Sequence, residues 1–161
     1  MHFYIDTAKN TKGTWSKMKI IGRNEEQREL EGYLGSGKPE FLVVYGRRRV
    51  GKTFLIREYF KGDFFFMHTG LADGGTEVQL AEFNKSLRRF RGTEHRAASN
   101  WFDAFDCLRE YIEQAGPERK VLFIDELPWM ERQKSNLLPA LEHFWNGFAS
   151  GRNDIFLIVC G

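Results

Sequence analysis

Residues 41–53 read FLVVYGRRRVGKT, and this stretch decides the fold. Phe41 to Tyr45 is a continuous apolar run, which predicts a short strand buried on both faces. Gly46-Arg47-Arg48-Arg49-Val50-Gly51-Lys52-Thr53 then matches G-x-x-x-x-G-K-[ST]. Lys52 to Phe60 predicts a helix stopped near Gly62. The spacing has a physical reason. Glycines let the backbone turn tightly around an anion, and N–H groups of the loop and the helix start point at it. Lys52 would reach the outer phosphates of a nucleoside triphosphate, and Thr53 would set its hydroxyl on Mg²⁺. Phe54, in the first helical turn, is taken with the loop as a nucleotide contact. By accident such a pattern arises in about one chain of this size in a hundred or fewer, and the strand–loop–helix context lowers that further. Arg47, Arg48 and Arg49 read two ways: as positive potential around the phosphates, or as solvated residues paired with surface acids.

The second informative stretch is Val121-Leu122-Phe123-Ile124-Asp125-Glu126, an apolar strand ending in adjacent carboxylates. Alone this is an ordinary strand terminus. Coupled to the phosphate loop it gains a role for each acid. Asp125 would hold Mg²⁺, often through a water, because that ion gives up its hydration reluctantly. Glu126 would orient or deprotonate the attacking water. A second carboxylate favours hydrolysis over transfer to a small acceptor.

Between and around these motifs, apolar strands alternate with amphipathic helices. Asn24 with Gln27 reads as a capping box before a helix whose buried face is Leu30, Tyr33 and Leu34. Phe64 to Met67 is a second strand. Thr76 with Gln79 reads as another capping box, followed by Leu80, Phe83, Leu87 and Phe90 at helical spacing. Ser99 would cap the next helix, with Phe102, Phe105, Leu108 and Ile112 inward and Gly116-Pro117 at its end. Asn136 would cap a helix with Pro139 in its first turn and a stripe of Leu137, Leu138, Leu141, Phe144, Trp145 and Phe148. Ile155 to Val159 is the last strand. This alternation predicts an α/β fold, a parallel sheet covered by helices on both faces.

Bulk properties set the outer bounds. The 161 residues, 42% hydrophobic and 29% charged, suit one domain with a real core. A net charge of +2 does not by itself argue for nucleic acid. Two distant cysteines, Cys107 and Cys160, make no disulfide framework and fit a cytoplasmic, reducing setting as small core residues. No apolar run approaches the ~20 residues that span a bilayer, so no membrane partner is expected. Residues 1–17 lack a period and read as an N-terminal extension or an ordered arm, with Met18 as a possible natural start.

Together, IGRNEEQRELEGYL, PEFLVVYGRRRVGKTFLIREYF, VLFIDELPWM, LPALEHFWNGFAS and IFLIVCG resemble the prokaryotic AAA-type ATPases of the archaeal-ATPase group within the STAND-like P-loop class. The resemblance runs from about Ile20 to Gly161. It implies an ASCE-type three-layer sandwich with a further strand between the two motif strands. The four strands would then lie in the order 1-4-3-2, with Ile155 to Val159 central. It also implies ATP and Mg²⁺ as ligands and places Ile21-Gly22-Arg23 near the adenine, where a plain helix entry is the other reading. Family members usually continue with a fifth strand, a lid and an effector domain. The expectation is therefore an incomplete ATPase core over 18–161, without assignable sensor or arginine finger, from a protein with a C-terminal effector domain and with a homo-oligomer left open.

Weaker signals have bland counterparts. Lys85, Arg88, Arg89, Arg91, His95 and Arg96 around Phe90 could meet a nucleic-acid backbone, and more often such a cluster is a solvated helix face. Trp101 and Trp145 fall on apolar stripes, while Trp129 could pack on the acidic strand or shape the rim of the site. His2, His68, His95 and His143 show no paired metal-ligand spacing. The leading expectation is hydrolysis of ATP coupled to conformational change in a larger assembly or attached domain. The alternative is a nucleotide-dependent switch or scaffold with negligible turnover.

Overall fold

The runs KVLFID and IFLIVC are almost wholly apolar, so neither can lie at a solvent-facing edge. A computed structural model, which describes residues 2–4, 23–47, 51–92 and 96–161, pairs them in parallel as β4 (Lys120–Asp125) and β5 (Ile155–Cys160). Every residue of both strands is buried. β2 (Glu40–Tyr45) pairs with the other side of β5, and β3 (Phe66–Thr69) with the other side of β4, again in parallel. Numbered along the chain, these four strands lie in the expected order 1-4-3-2. A further strand, β1 (His2–Tyr4), pairs in parallel with β2, so the whole sheet runs β1-β2-β5-β4-β3. This strand comes from the segment whose sequence carries no period.

Alternation along the central strands divides the core into two. Leu122, Ile124, Leu157 and Val159 face α3 (Thr76–Arg91), α4 (Trp101–Glu113) and α6 (Leu137–Gly147). Val121, Phe123, Phe156 and Ile158 face α1 (Asn24–Gly35) and α2 (Lys52–Phe60). The result is three layers, helix–sheet–helix. In the larger core Phe83 meets Trp101 edge-on at 5.4 Å, and neither exposes any surface. Burying a side chain of this class contributes about 2 kcal/mol.

The structure corrects several local expectations. β2 is not covered on both faces: Leu42 and Val44 are buried, but Val43 and Tyr45 are 37% and 39% exposed. On that same face Phe41 packs on Trp145 of α6, with ring centroids 5.0 Å apart. Strand β3 begins two residues later than the apolar run suggested. Phe102 is 40% exposed, because α4 turns the stripe Trp101, Ala104, Phe105, Leu108 and Ile112 inward and leaves residue 102 off it. Leu138 is likewise exposed. The capping boxes do not form. Asn24 and Thr76 are first helical residues behind Arg23 and Gly75, with no side-chain cap, and the side chain capping α4 is Asn100 rather than Ser99. Asn136 does stand at the N-cap of α6, but Ser135 Oγ takes the Leu137 N–H. Two short elements had no clear sequence signal: α5 (Leu127–Met130) and a 3₁₀ turn at Ala149–Gly151.

The amino-terminal rim of the sheet is closed by charge. Lys120, 2% exposed, donates to the Glu118 carbonyl (2.9 Å) and to Asp154 Oδ2 (2.7 Å), and Arg152 grips the same carboxylate. The Arg152 hydrogen bonds, aided by Lys120, pull the Asp154 carboxyl down to about 2 from an ordinary 3.8. A depressed carboxyl stabilises the fold fully above its unfolded value and loses that contribution as pH falls through the folded one. Asp154→Asn should therefore cost about 2 kcal/mol at neutral pH by removing the charge partner of Lys120 and Arg152. The gap to wild type should close as pH drops from 3.8 to about 2, read as urea midpoints along a pH series.

Candidate functional site

Because all the strands are parallel, their carboxyl ends share one rim, the side on which open α/β sheets bind ligands. Gly46 follows β2, Thr69 ends β3, Asp125 ends β4 and Cys160 ends β5. Helix α2 opens at this rim. Gly51, at φ +79°, is its N-cap and brings no capping side chain. A free helix N-terminus of this kind favours anions. Lys52, 9% exposed, folds its ammonium back onto the loop and donates to the carbonyls of Gly46 (2.7 Å) and Arg47 (3.1 Å).

The two motifs meet through the next residue. Thr53 Oγ1 donates to Asp125 Oδ1 at 3.0 Å across 72 residues of sequence. Asp125 is 2% exposed, and the same oxygen accepts the Glu126 N–H at 3.1 Å. Arg57 of α2 stands 3.9 Å from Asp125 Oδ2 and donates to Thr69 Oγ1 at 3.2 Å. The Cys160 thiol also faces this group. Burial, reinforced by the Asp125 charge, pushes it up to about 12, so it stays protonated and is no nucleophile.

Glu126 has the unusual backbone of the site. It sits at φ 54°, ψ 42°, in the left-handed region, as the N-cap of α5. For a side chain without a special local role this costs about 1 kcal/mol or more. The turn it makes carries the chain away from β4 and sets Glu126 in the wall of an open cavity of about 910 Å³. Gly46, Lys52, Thr53, Phe54, Glu126 and Trp129 are among the residues lining it.

The structure thus brings Gly46, Gly51, Lys52, Thr53, Phe54, Asp125 and Glu126 to one place. Arg47 contributes a carbonyl, with its side chain exposed. Arg23 extends a guanidinium nitrogen to 3.6 Å from where a Cβ on Gly51 would stand. Ile21, Gly22, Arg48, Arg49, Val50 and His95 lie outside the described residues. Sequence reading missed Arg57, Thr69 and the placement of Cys160. Arg57 lies five positions after Lys52, and Thr69 is in register with Asp125, a relation visible only once β3 and β4 are paired. Trp129 lines the cavity, whereas Trp101 is core. In the basic cluster Lys85 pairs with Glu82 on the surface of α3, while Arg91, only 14% exposed, pairs with Glu110 of α4. Among the described residues no helix is long and apolar enough to cross a membrane.

Glycine reaches the left-handed region without a Cβ penalty. Glu126→Gly should therefore raise stability by about 1 kcal/mol, seen as a higher denaturant midpoint, while removing the carboxylate. A lower midpoint would show that the turn is unstrained.

Four similarities to known proteins bear on this geometry. A solved structure, the Walker-type ATPase of Pyrococcus abyssi, superposes with a TM-score of 0.60 at 18% identity, over 88% of this chain and 45% of that one. At that identity the match speaks for the fold. An uncharacterized protein of Methanocaldococcus jannaschii is 30% identical over 119 residues, 74% of this chain and 24% of that protein. An uncharacterized ATP-binding protein of the same organism is 42% identical over 40 residues, 25% of this chain and 68% of that protein. The chain thus spans about a quarter of the first relative and under half of the solved structure. A family model described as an ATPase domain predominantly from Archaea matches residues 20–161. With that match over nearly its whole length, on a parallel sheet whose rim joins a phosphate loop to a strand-end acid pair, the chain belongs to this archaeal ATPase-domain family.

Proposed function

We propose that this chain is the nucleotide-hydrolysing core of a larger protein, binding ATP with Mg²⁺ at the carboxyl rim of its sheet and using hydrolysis to drive conformational change in an attached domain or assembly. The observation that carries the reading is the 3.0 Å contact between Thr53 Oγ1 and Asp125 Oδ1. It puts a hydroxyl and a carboxylate oxygen together beside the Lys52 loop. Such hard oxygen donors suit Mg²⁺. Among the described residues no group of three His, Cys, Asp or Glu could hold a metal alone. One carboxylate and one hydroxyl fit an ion whose remaining ligands are phosphate oxygens and water. When bound, Mg²⁺ would supply charge neutralisation on the phosphate oxygens.

The chain's own groups divide the remaining work. Lys52 would trade its two loop carbonyls for phosphate oxygens, and the α2 amides would add donors that need no reorganisation. Thr53 and Asp125 would hold the metal. Arg57, beside Asp125, keeps the buried carboxylate from standing alone. Glu126 would take the proton of the attacking water. Phe54 would flank the nucleotide at the cavity wall, and Arg23 would lie at the loop's back.

Lys52→Ala should weaken Mg·ATP binding by at least about tenfold in calorimetry, since a charge-assisted contact is worth roughly 1.5–3 kcal/mol. Unchanged affinity would defeat the site. Glu126→Gln should keep affinity within about threefold and slow single-turnover hydrolysis by about 100-fold or more. If wild type and Glu126→Gln bind equally and neither hydrolyses ATP above the blank, the chain acts as a nucleotide-dependent switch instead.

A further inference from the structure

Gln79 looks from the sequence like half of a capping box, yet it caps nothing. It lies in α3 with no exposed surface, and its carboxamide spends every bond elsewhere. Its Oε1 accepts the Leu71 N–H at 3.0 Å. Its Nε2 donates to the Leu71 carbonyl at 2.7 Å and to the Trp129 carbonyl at 3.0 Å, with the Gly74 carbonyl at 3.4 Å. A buried amide is costly unless its partners are all present. Here they come from two separate segments, the 70–75 loop after β3 and the α5 turn after Asp125.

The loop grips the α5 turn at further points. The Gly70 N–H donates to the Asp125 carbonyl at 2.9 Å. A Cβ on Gly70 would stand 2.6 Å from the Glu126 carbonyl oxygen and 2.6 Å from Met130 Cγ, so the backbone approaches as closely as glycine permits. Arg132 Nε donates to the Gly74 carbonyl at 3.2 Å. Residues 125–132 are thereby held at successive points by one loop, and the Gln79 side chain bonds both the loop and the turn. The residue so enclosed is Glu126, in its left-handed conformation. A strained backbone conformation persists only where its surroundings over-determine it.

We propose that Gln79 is a positioning residue for the Glu126 carboxylate. It pins the Glu126–Met130 turn through the Trp129 carbonyl, with Gly70 as the wall behind it. This rests on the reading of Glu126 as proton acceptor. Gln79 touches neither the loop lysine nor the Thr53–Asp125 pair, so its effect belongs to turnover rather than to nucleotide affinity.

The test uses Gln79→Leu, which deletes the bonds, and Gly70→Ala, which pushes the Glu126 peptide from the other side and serves if the first variant fails to fold. Each is measured in the full chain by single-turnover hydrolysis of Mg·ATP, by calorimetry of the same ligand, and again in a Glu126→Gln background. The expected result is a rate at least about tenfold lower with affinity within about twofold, and no further loss on Glu126→Gln. Amide exchange at Trp129 and Met130 should rise while exchange at Leu55 and Ile56 does not. Wild-type rates and exchange in a folded variant, affinity falling with rate, or additive loss on Glu126→Gln would each overturn the inference. A Glu126→Gln chain that hydrolyses ATP like wild type would instead overturn the reading of Glu126 on which the inference rests.

Discussion

The site exists because β4 and β5 have no surface to offer water. Every side chain on both is buried, so each strand needs a strand on either side and helices above and below. Parallel pairing with β2 and β3 meets that need, and it brings four carboxyl termini to one rim. Thr53 and Asp125 are then neighbours through the register of the core, although 72 residues separate them. Packing and chemistry are one constraint here: a shift of register that put Asp125 elsewhere would also bring polar groups into the core.

What could be read in the chain follows from which signals are local. The phosphate loop, helix α2 and strands β4 and β5 each announce themselves within ten residues, and their order followed from a resemblance resting on those same residues. The capping boxes failed for a different reason. Thr76 and Gln79 have the right spacing, but Gln79 finds better partners in Leu71 and Trp129, and no window along the sequence contains residue 129. The exposed face of β2 was invisible because Val43 and Tyr45 are apolar, and exposure depends on how far α6 reaches, not on the strand's own composition. Cys160 read as core and Arg57 drew no reading at all; both join the site only through the pairing of strand tips with α2.

The two poles of the sheet are built on different terms. At the amino end, Lys120 is locked by Asp154 and carbonyls, and Arg119 donates to the carbonyls of Tyr33, Lys38 and Asn153, tying α1, the approach to β2 and the approach to β5 together. The Lys120 ammonium and both terminal nitrogens of Arg119 are consumed by neighbours, which favours rigidity. At the carboxyl end the chain tolerates a left-handed glutamate, an uncapped helix start and a wide cavity. Stability is concentrated away from the chemistry, the common arrangement when a functional site must carry strain.

The Lys52 ammonium gives this arrangement a thermodynamic colour. Its bonds to Gly46 and Arg47 mean the loop already has an internal counter-partner, so an arriving phosphate competes with the peptide backbone as well as with solvent. Engagement is an exchange reaction, and its enthalpy is the difference between two sets of charge-assisted bonds rather than the full strength of either. On the proposed reading a polyphosphate, with more charge to set against two well-placed carbonyls, would displace them more readily than a singly charged oxyanion.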